Sequence, residues 1–450
     1  MPILEQYVQV FAFTVAQAFT SAFTSMFFGI LGAMGLWSLA KNKNALRILT
    51  AFAILPNTLP IIFVIFSFIK YLPMARGFWG IVAIHCFLNA GLVAIAVFQV
   101  FQSKMGALAD VAWIASCSQV RFLKSVVLPY LKNDLTRIFF FVFALSFTSF
   151  AVPLMIGGSR GTTLEVLIYE KIRISADWSQ ACVMALMQLI FILGISFFVK
   201  RQVATQANYV SKSPLLSVDF GIFVLVLPTI FIGFCLMQSF FSQFEKWQMP
   251  NLSLVFGSLF IAIGSGLFNL FLLFVSARYR PNPKWRSFLL GLVSPSAVII
   301  GFSLIWLFPG VGWASYIKLI FGLTLMHFPI LYRMSWDAQV FALYQQIETA
   351  QTLSASPRQI FSRVIVPQVL KYAYNLSGLA ALWSFSDFTL ASVVAERDLT
   401  RAQLFSHLTE SYRFEQAEAL ILPMMVGAIF CYLIFSGVGN VASRILMRTV

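Results

Sequence analysis

The sequence predicts an all-α polytopic membrane protein, with about eleven transmembrane helices arranged in two parallel repeats. Three observations predict it: a charge-poor composition, a series of apolar runs long enough to cross a bilayer, and two matching loops 238 residues apart. Of 450 residues, 60% are hydrophobic and 10% charged, and the mean hydropathy is +0.86. Soluble domains carry about 25% charged residues. The net charge of +15 does not read as a nucleic-acid footprint, because Lys and Arg fall in short gaps between apolar runs. A nucleic-acid face would cluster them on a soluble surface. The expected surroundings are a lipid bilayer, with no nucleic acid as partner.

An apolar run of about 20 residues can cross the hydrocarbon core as a helix, and lipid requires closed backbone hydrogen bonding. Such runs lie near 10–38, 51–69, 78–101, 135–156, 180–199, 218–241, 252–276, 288–307, 314–333, 373–394 and 418–441. The Lys/Arg bias sets their direction. The stretches 41–50, 102–137, 200–219, 277–287, 333–371 and 444–450 hold 21 of the 31 basic residues and five of the 16 acids. Those stretches are therefore placed in the cytoplasm and the N-terminus outside. Met1–Gln9 has Glu5 and no basic residue, so no cleaved signal peptide is expected.

Shifting the chain by 238 places Asp110, Ala112, Ser116, Ser118, Val126 and Pro129 on Glu348, Ala350, Ser354, Ser356, Val364 and Pro367. Five of those six pairs are identical. Phe122, Leu123, Val126 and Val127 fall on Ile360, Phe361, Val364 and Ile365, each set on one helical face. Ser146–Phe150 meets Ser384–Phe388 at the same offset, and the run ending near Ser38 meets the one ending near Ser276. The expected organisation is a first repeat at 1–199 with about five helices, a polar cytoplasmic linker at 200–217, and a second repeat at 218–450 with six. The counterpart of 218–241 is expected either to be naturally lacking in the first repeat or to lie upstream of Met1.

Each loop starts with an acid, has Ala two residues on and Ser at the seventh position, and closes with Pro at the twentieth. Acid and small residues suit a helix start and the close approach of another surface. Pro is expected to interrupt the helix before the next span. With Arg121 and Lys124, or Arg358 and Arg363, on its polar side, each loop reads as a helical knob for docking a partner.

These loops resemble the EAA motif of ABC importer permeases, and two in one chain resemble the fused permeases of thiamine and ferric iron uptake. The resemblance implies a type I ABC importer fold in the bacterial inner membrane. It also implies a coupling role for Asp110, Ala112, Ser116, Pro129, Glu348, Ala350, Ser354 and Pro367 against two ATPase subunits. ATP and Mg would be bound on those partners, and a periplasmic substrate-binding protein would deliver thiamine, ferric iron or another small substrate. The departures are Ser116 and Ser354 in place of Gly, Asp110 in place of Glu, and Val111 and Thr349 in place of the first Ala. Ser lacks glycine's freedom at positive φ, so a slightly altered coupling helix is expected. The stretch 157–169 and Ser411–Arg413 lean toward the thiamine type.

The pathway candidates are Asp387, an intramembrane acid between Phe385 and Phe388, together with Asn89 and His327, which coincide at the repeat offset. A charge inside a membrane is costly and is kept for a pathway or a partner; pairing with a nearby Arg or Lys is the alternative for Asp387, and packing for His327. No catalytic constellation and no metal-ligand spacing is present, and no GxxxxGK[ST] loop would bind ATP. The alternative function is an ion-gradient-driven secondary transporter of the major-facilitator type, whose halves are also parallel repeats. That class calls for several mid-membrane acids or histidines, and Asp387 is nearly alone.

Overall fold

The computed structural model describes residues 2–73, 76–158, 161–199, 213–244, 252–278, 289, 296–395 and 397–449, and those residues form helices and turns with no strand. They fall into two compact units, Met1–Phe241 and Ser242–Val450.

The first unit begins with α1 (Pro2–Ser38), which packs against α4 (Gly77–Lys104) and α7 (Leu128–Phe147). Between α1 and α4 lie α2 (Lys43–Thr58) and α3 (Ile61–Tyr71). Asn42 starts α2 by accepting from the N–H groups of Asn44 and Ala45 at 3.2 and 3.1 Å. Pro60 ends it: a residue before proline is pushed out of the α region, and Leu59 is extended at φ −80°, ψ 156°. The expected span 51–69 is therefore a bent pair, α2 and α3 meeting at 86°. Gly91 lets α2 sit against α4, because a Cβ there would run into the carbonyl of Ala53.

The unit continues through α5 (Gly106–Ile114) and α6 (Gln119–Phe122), with α8 (Ala151–Ile156), α9 (Leu164–Arg173), α10 (Trp178–Val199) and α11 (Phe220–Phe244) after α7. Of the linker 200–217, residues 200–212 lie outside the described residues. The helix α11 packs on the first unit. Gly221 meets the Leu31 carbonyl, Phe231 rests edge-on against Phe68 and Phe87, and Thr229 donates to the Phe52 carbonyl. The sequence offset groups 218–241 with the second repeat, whereas packing carries the boundary to Phe241. Offset sorts segments by likeness and packing sorts them by buried area, so the two partitions differ.

The second unit contains α12 (Leu252–Arg278), α13 (Ala297–Leu307), α14 (Trp313–Leu331), α15 (Asp337–Ala342), α16 (Tyr344–Thr352), α17 (Pro357–Gln359), α18 (Val366–Ser386), α19 (Thr389–Val394), α20 (Arg401–Glu410) and α21 (Phe414–Thr449). Here α12 packs against α14 and α18, and α18 against α21. A core of Leu273, Leu331, Trp336, Ile360, Ile365 and Ala373 joins the ends of α12 and α14 to the segment entering α18.

Among the described residues, seven helices are long and apolar enough to cross a membrane, or eight if the bent pair counts as one span. The expected eleven is thus met in part, by seven or eight candidate spans among the described residues. The run 135–156 divides at Thr148–Phe150 into α7 and α8, and 373–394 divides at Asp387 into α18 and α19. Of 288–307, only residues 289 and 296–307 are described, and the helix Ala297–Leu307 is too short to span alone.

Candidate functional site

The two loops fold alike, and the fold explains their residue pattern. In the first, α5 ends in a turn where Cys117 N–H donates to the Ala112 carbonyl and Ser116 N–H to the Trp113 carbonyl, both at 2.9 Å. In the second, α16 ends with Ala355 N–H on the Ala350 carbonyl at 3.0 Å and Ser354 N–H on Gln351 at 2.9 Å. Both are Schellman closures, which place the residue after the cap in the left-handed region. Ser116 (φ 54°) and Ser354 (φ 60°) occupy it. The closing hydrogen bonds hold both serines at a positive φ, the region that glycine adopts freely. Ala112 and Ala350 supply the carbonyls that close each turn, and both are half-buried.

After the turn, Ser356 caps α17 reciprocally with Gln359. Each chain then widens into a π-turn, Leu123–Val127 and Ile360–Ile365, before continuing into α7 and α18. The prolines do not interrupt the helix as expected. Pro129 and Pro367 lack an N–H and would clash with the carbonyl four residues back. Widening the preceding turn to i→i+5 bonds relieves the conflict. The π-turns also place Phe122 and Val127, or Ile360 and Ile365, in the interior, with Leu123, Val126, Phe361 and Val364 half-buried beside them.

Surroundings differ between the loops. The first is clasped by Lys104 at the end of α4, whose Nζ lies 2.6 Å from Asp134 on α7. Asp110 accepts from the backbone N–H of Ser213 at 2.8 Å. Gln119 donates to the Ser217 carbonyl at 3.1 Å, and the indole of Trp37 to the Ser213 carbonyl at 3.2 Å. Residues 213–217 thus form a strap that joins α1, α5 and α6. Glu348, the matching acid, is exposed on α16.

The pathway candidates sit elsewhere. Asp387, half-buried at the α18–α19 break, accepts from Thr389 Oγ1 at 2.8 and 3.0 Å and from Leu390 N–H at 3.1 Å. It is an Asx cap that starts α19. His327, buried on α14, has Nδ1 3.2 Å from Ser384 Oγ and its ring beside Trp383. Asn89 is buried on α4. Asp387 thus bonds forward from the end of α18 into α19, while His327 meets the last turns of α18 at Trp383 and Ser384.

A feature the sequence reading passed over is a buried polar stripe on α1, Thr14, Gln17, Ser21 and Ser25, each fully buried. Thr14 Oγ1 accepts from Leu164 N–H at the start of α9, Gln17 donates to the Ser146 carbonyl, and Ser21 lies 3.3 Å from His85 Nδ1. On α12, Ser258, Ser265 and Asn269 form a second stripe. Ser258 Oγ accepts from Arg401 N–H at the start of α20, and Ser265 accepts from Ser384 at 2.8 Å. The i, i+3, i+7, i+11 spacing of polar residues inside apolar runs is the signal that finds them. Among the described residues, no group of three His, Cys, Asp or Glu is placed to hold a metal.

Comparison with known proteins gives relatives of one kind. The chain is 29% identical over 222 residues to the thiamine transport system permease protein ThiP of Haemophilus influenzae, covering 45% of this chain and 40% of the relative. It is 28% identical over 126 residues to ThiP of Escherichia coli, covering 28% and 24%. It is 29% identical over 207 residues to ThiP of Brucella abortus, covering 41% and 37%. The chain thus matches less than half the length of these relatives. No family model matches it, and no solved structure does. The chain is a multi-pass inner-membrane protein, distantly related to thiamine transport system permeases.

Proposed function

We propose that this chain is the membrane-spanning permease of a type I ABC importer, built as two tandem repeats and driven by two separate ATPase subunits that carry ATP and Mg. The observation that carries the reading is the pair of knobs at Asp110–Pro129 and Glu348–Pro367. Each has a left-handed serine, a Schellman closure on alanine, a π-turn and a proline at the same place, 238 residues apart. The duplication is further supported outside the loops. Thr14 and Ser258 both cap the N–H at the start of an outward helix, and Ser21 and Ser265 both enter a histidine-containing cluster. Those pairs are 244 apart, so the register of α1 against α12 differs by six residues from that of the loops.

On this reading, Asp110, Ala112, Ser116 and Pro129, with Glu348, Ala350, Ser354 and Pro367, shape two coupling helices that seat in the ATPase subunits. A periplasmic binding protein would deliver the substrate to the outward segments around α9 and α20. Thiamine is favoured as substrate by the relatives; its cationic ring would suit Asp387 among the pathway candidates Asp387, Asn89 and His327.

The test is co-purification of the full chain with an ATPase, joined to ATP-dependent thiamine uptake. Ala112→Leu or Ala350→Leu is expected to abolish both, since the bulk falls beneath the loop. Uptake that persists with no ATPase present would sink the reading.

A further inference from the structure

The two knobs share a backbone but not a surface, and the difference lies at matched positions. The first knob exposes Val111 (65%), Trp113 (49%), Ile114 (81%) and Val120 (62%). At the same places, 238 residues on, the second exposes Thr349, Gln351, Thr352 and Arg358. Leu353 and Tyr344 are the large apolar groups it does expose, where the first knob has the small residues Ala115 and Gly106. Both loops lie outside the candidate spans, so this apolar surface does not belong to a membrane-crossing helix. Exposed apolar clusters on a water-facing surface mark a site that a partner covers.

Both knobs are preorganised, by different ties. The first knob is held by Asp110 to Ser213, by Gln119 to Ser217 and by the Lys104–Asp134 clasp. A surface held in its bound shape loses less entropy on docking. The second knob is held by the Ser356–Gln359 cap and by Gln368 donating to Gln346, while its matching acid, Glu348, stands exposed on α16.

We infer that the two knobs dock unequally: the first is the anchor, buried in an apolar groove of one ATPase subunit, and the second seats by polar contacts that contribute little affinity. This rests on the proposed coupling role of the loops and adds to it which loop holds the partner. Salt screens contacts between charges and leaves apolar contacts in place.

The experiment uses the full chain in lipid nanodiscs with the ATPase subunits that co-purify with it. Exchanging the first surface for the second (Val111→Thr, Trp113→Gln and Ile114→Thr together) leaves Ala112 and Ser116 in place. It is expected to weaken ATPase binding by about tenfold or more, equivalent to about 1.4 kcal/mol. The reverse exchange, Thr349→Val, Gln351→Trp and Thr352→Ile, is expected to strengthen binding. Truncating the second surface with Gln351→Ala and Thr352→Ala is expected to change binding by less than about threefold. Equal losses from the two loops overturn the inference while leaving the docking role intact. Absence of any ATPase from the unaltered preparation overturns both. Should the first exchange misfold, the native complex decides: binding retained from about 0.1 to about 0.5 M salt supports the apolar anchor, and release by salt overturns it.

Discussion

Ser116 and Ser354 hold a backbone conformation that costs a residue with a Cβ about 1 kcal/mol or more, and they hold it because two hydrogen bonds close each turn around them. Glycine removes that strain, partly offset by its freer unfolded chain. Ser116→Gly and Ser354→Gly are each expected to raise stability by about 0.5–1 kcal/mol, read as an upward shift of the thermal midpoint in detergent. Ser354→Val should lower it by more than that, since a β-branched residue fits the left-handed region worst. If valine and glycine shift the midpoint alike, the serines are not strained. Asp387 poses a sharper question, because its carboxylate is spent on Thr389 and Leu390. As a cap, it tolerates Asn, which still accepts through its side-chain oxygen, and Asp387→Ala should cost about 1–2 kcal/mol. On the proposed function, thiamine uptake separates cap from pathway. Asp387→Asn should transport normally if the residue is a cap, and loss of uptake with an unchanged midpoint would assign the charge to the substrate.

At the scale of elements, close helix approaches set the packing of the first unit. Gly91 admits the Ala53 carbonyl of α2, and Gly221 admits the Leu31 carbonyl of α1. Gly91→Val or Gly221→Val drives a side chain into rigid backbone, and overpacking of this kind costs about 1–3 kcal/mol. Gly233 and Gly437, which have no atoms near a built Cβ, supply the control: Ala at either should leave the thermal midpoint unmoved or raise it. The knobs illustrate how sequence becomes an element. Their acid, alanine, serine and proline were legible as a pattern, and so was the apolar face of Phe122 and Ile360. The π-turns were not, because proline in a sequence reads as a stop. Only the continuation into α7 and α18, held by core residues such as Ile365 and Val369, makes widening the turn cheaper than breaking the helix.

For the whole molecule, orientation is the testable quantity. Cys117, half-buried in the first knob, lies on the side that the basic residues assign to the cytoplasm. A membrane-impermeant maleimide is expected to label it in inside-out vesicles and not in intact cells, with Cys117→Ser as the blank. Labelling in intact cells would reverse the topology and remove the knobs from any ATPase. The charge asymmetry, the paired loops and most of the long spans could be read directly, because each depends on local composition and on a bilayer of known thickness. The packing of α11 on the first unit could not, since nothing in 218–241 says which neighbour its glycine and phenylalanines will meet. Nor could the bends at Pro60 and Asp387, where hydrogen bonding decides between one span and two shorter helices. Hydropathy by itself determined that this chain lives in a membrane, and the charge bias set the expectation for which loops face the cytoplasm. Tertiary structure alone decided which helices pair, because pairing depends on contacts between residues far apart in the chain; the left-handed serines are closed locally, by hydrogen bonds spanning no more than five residues.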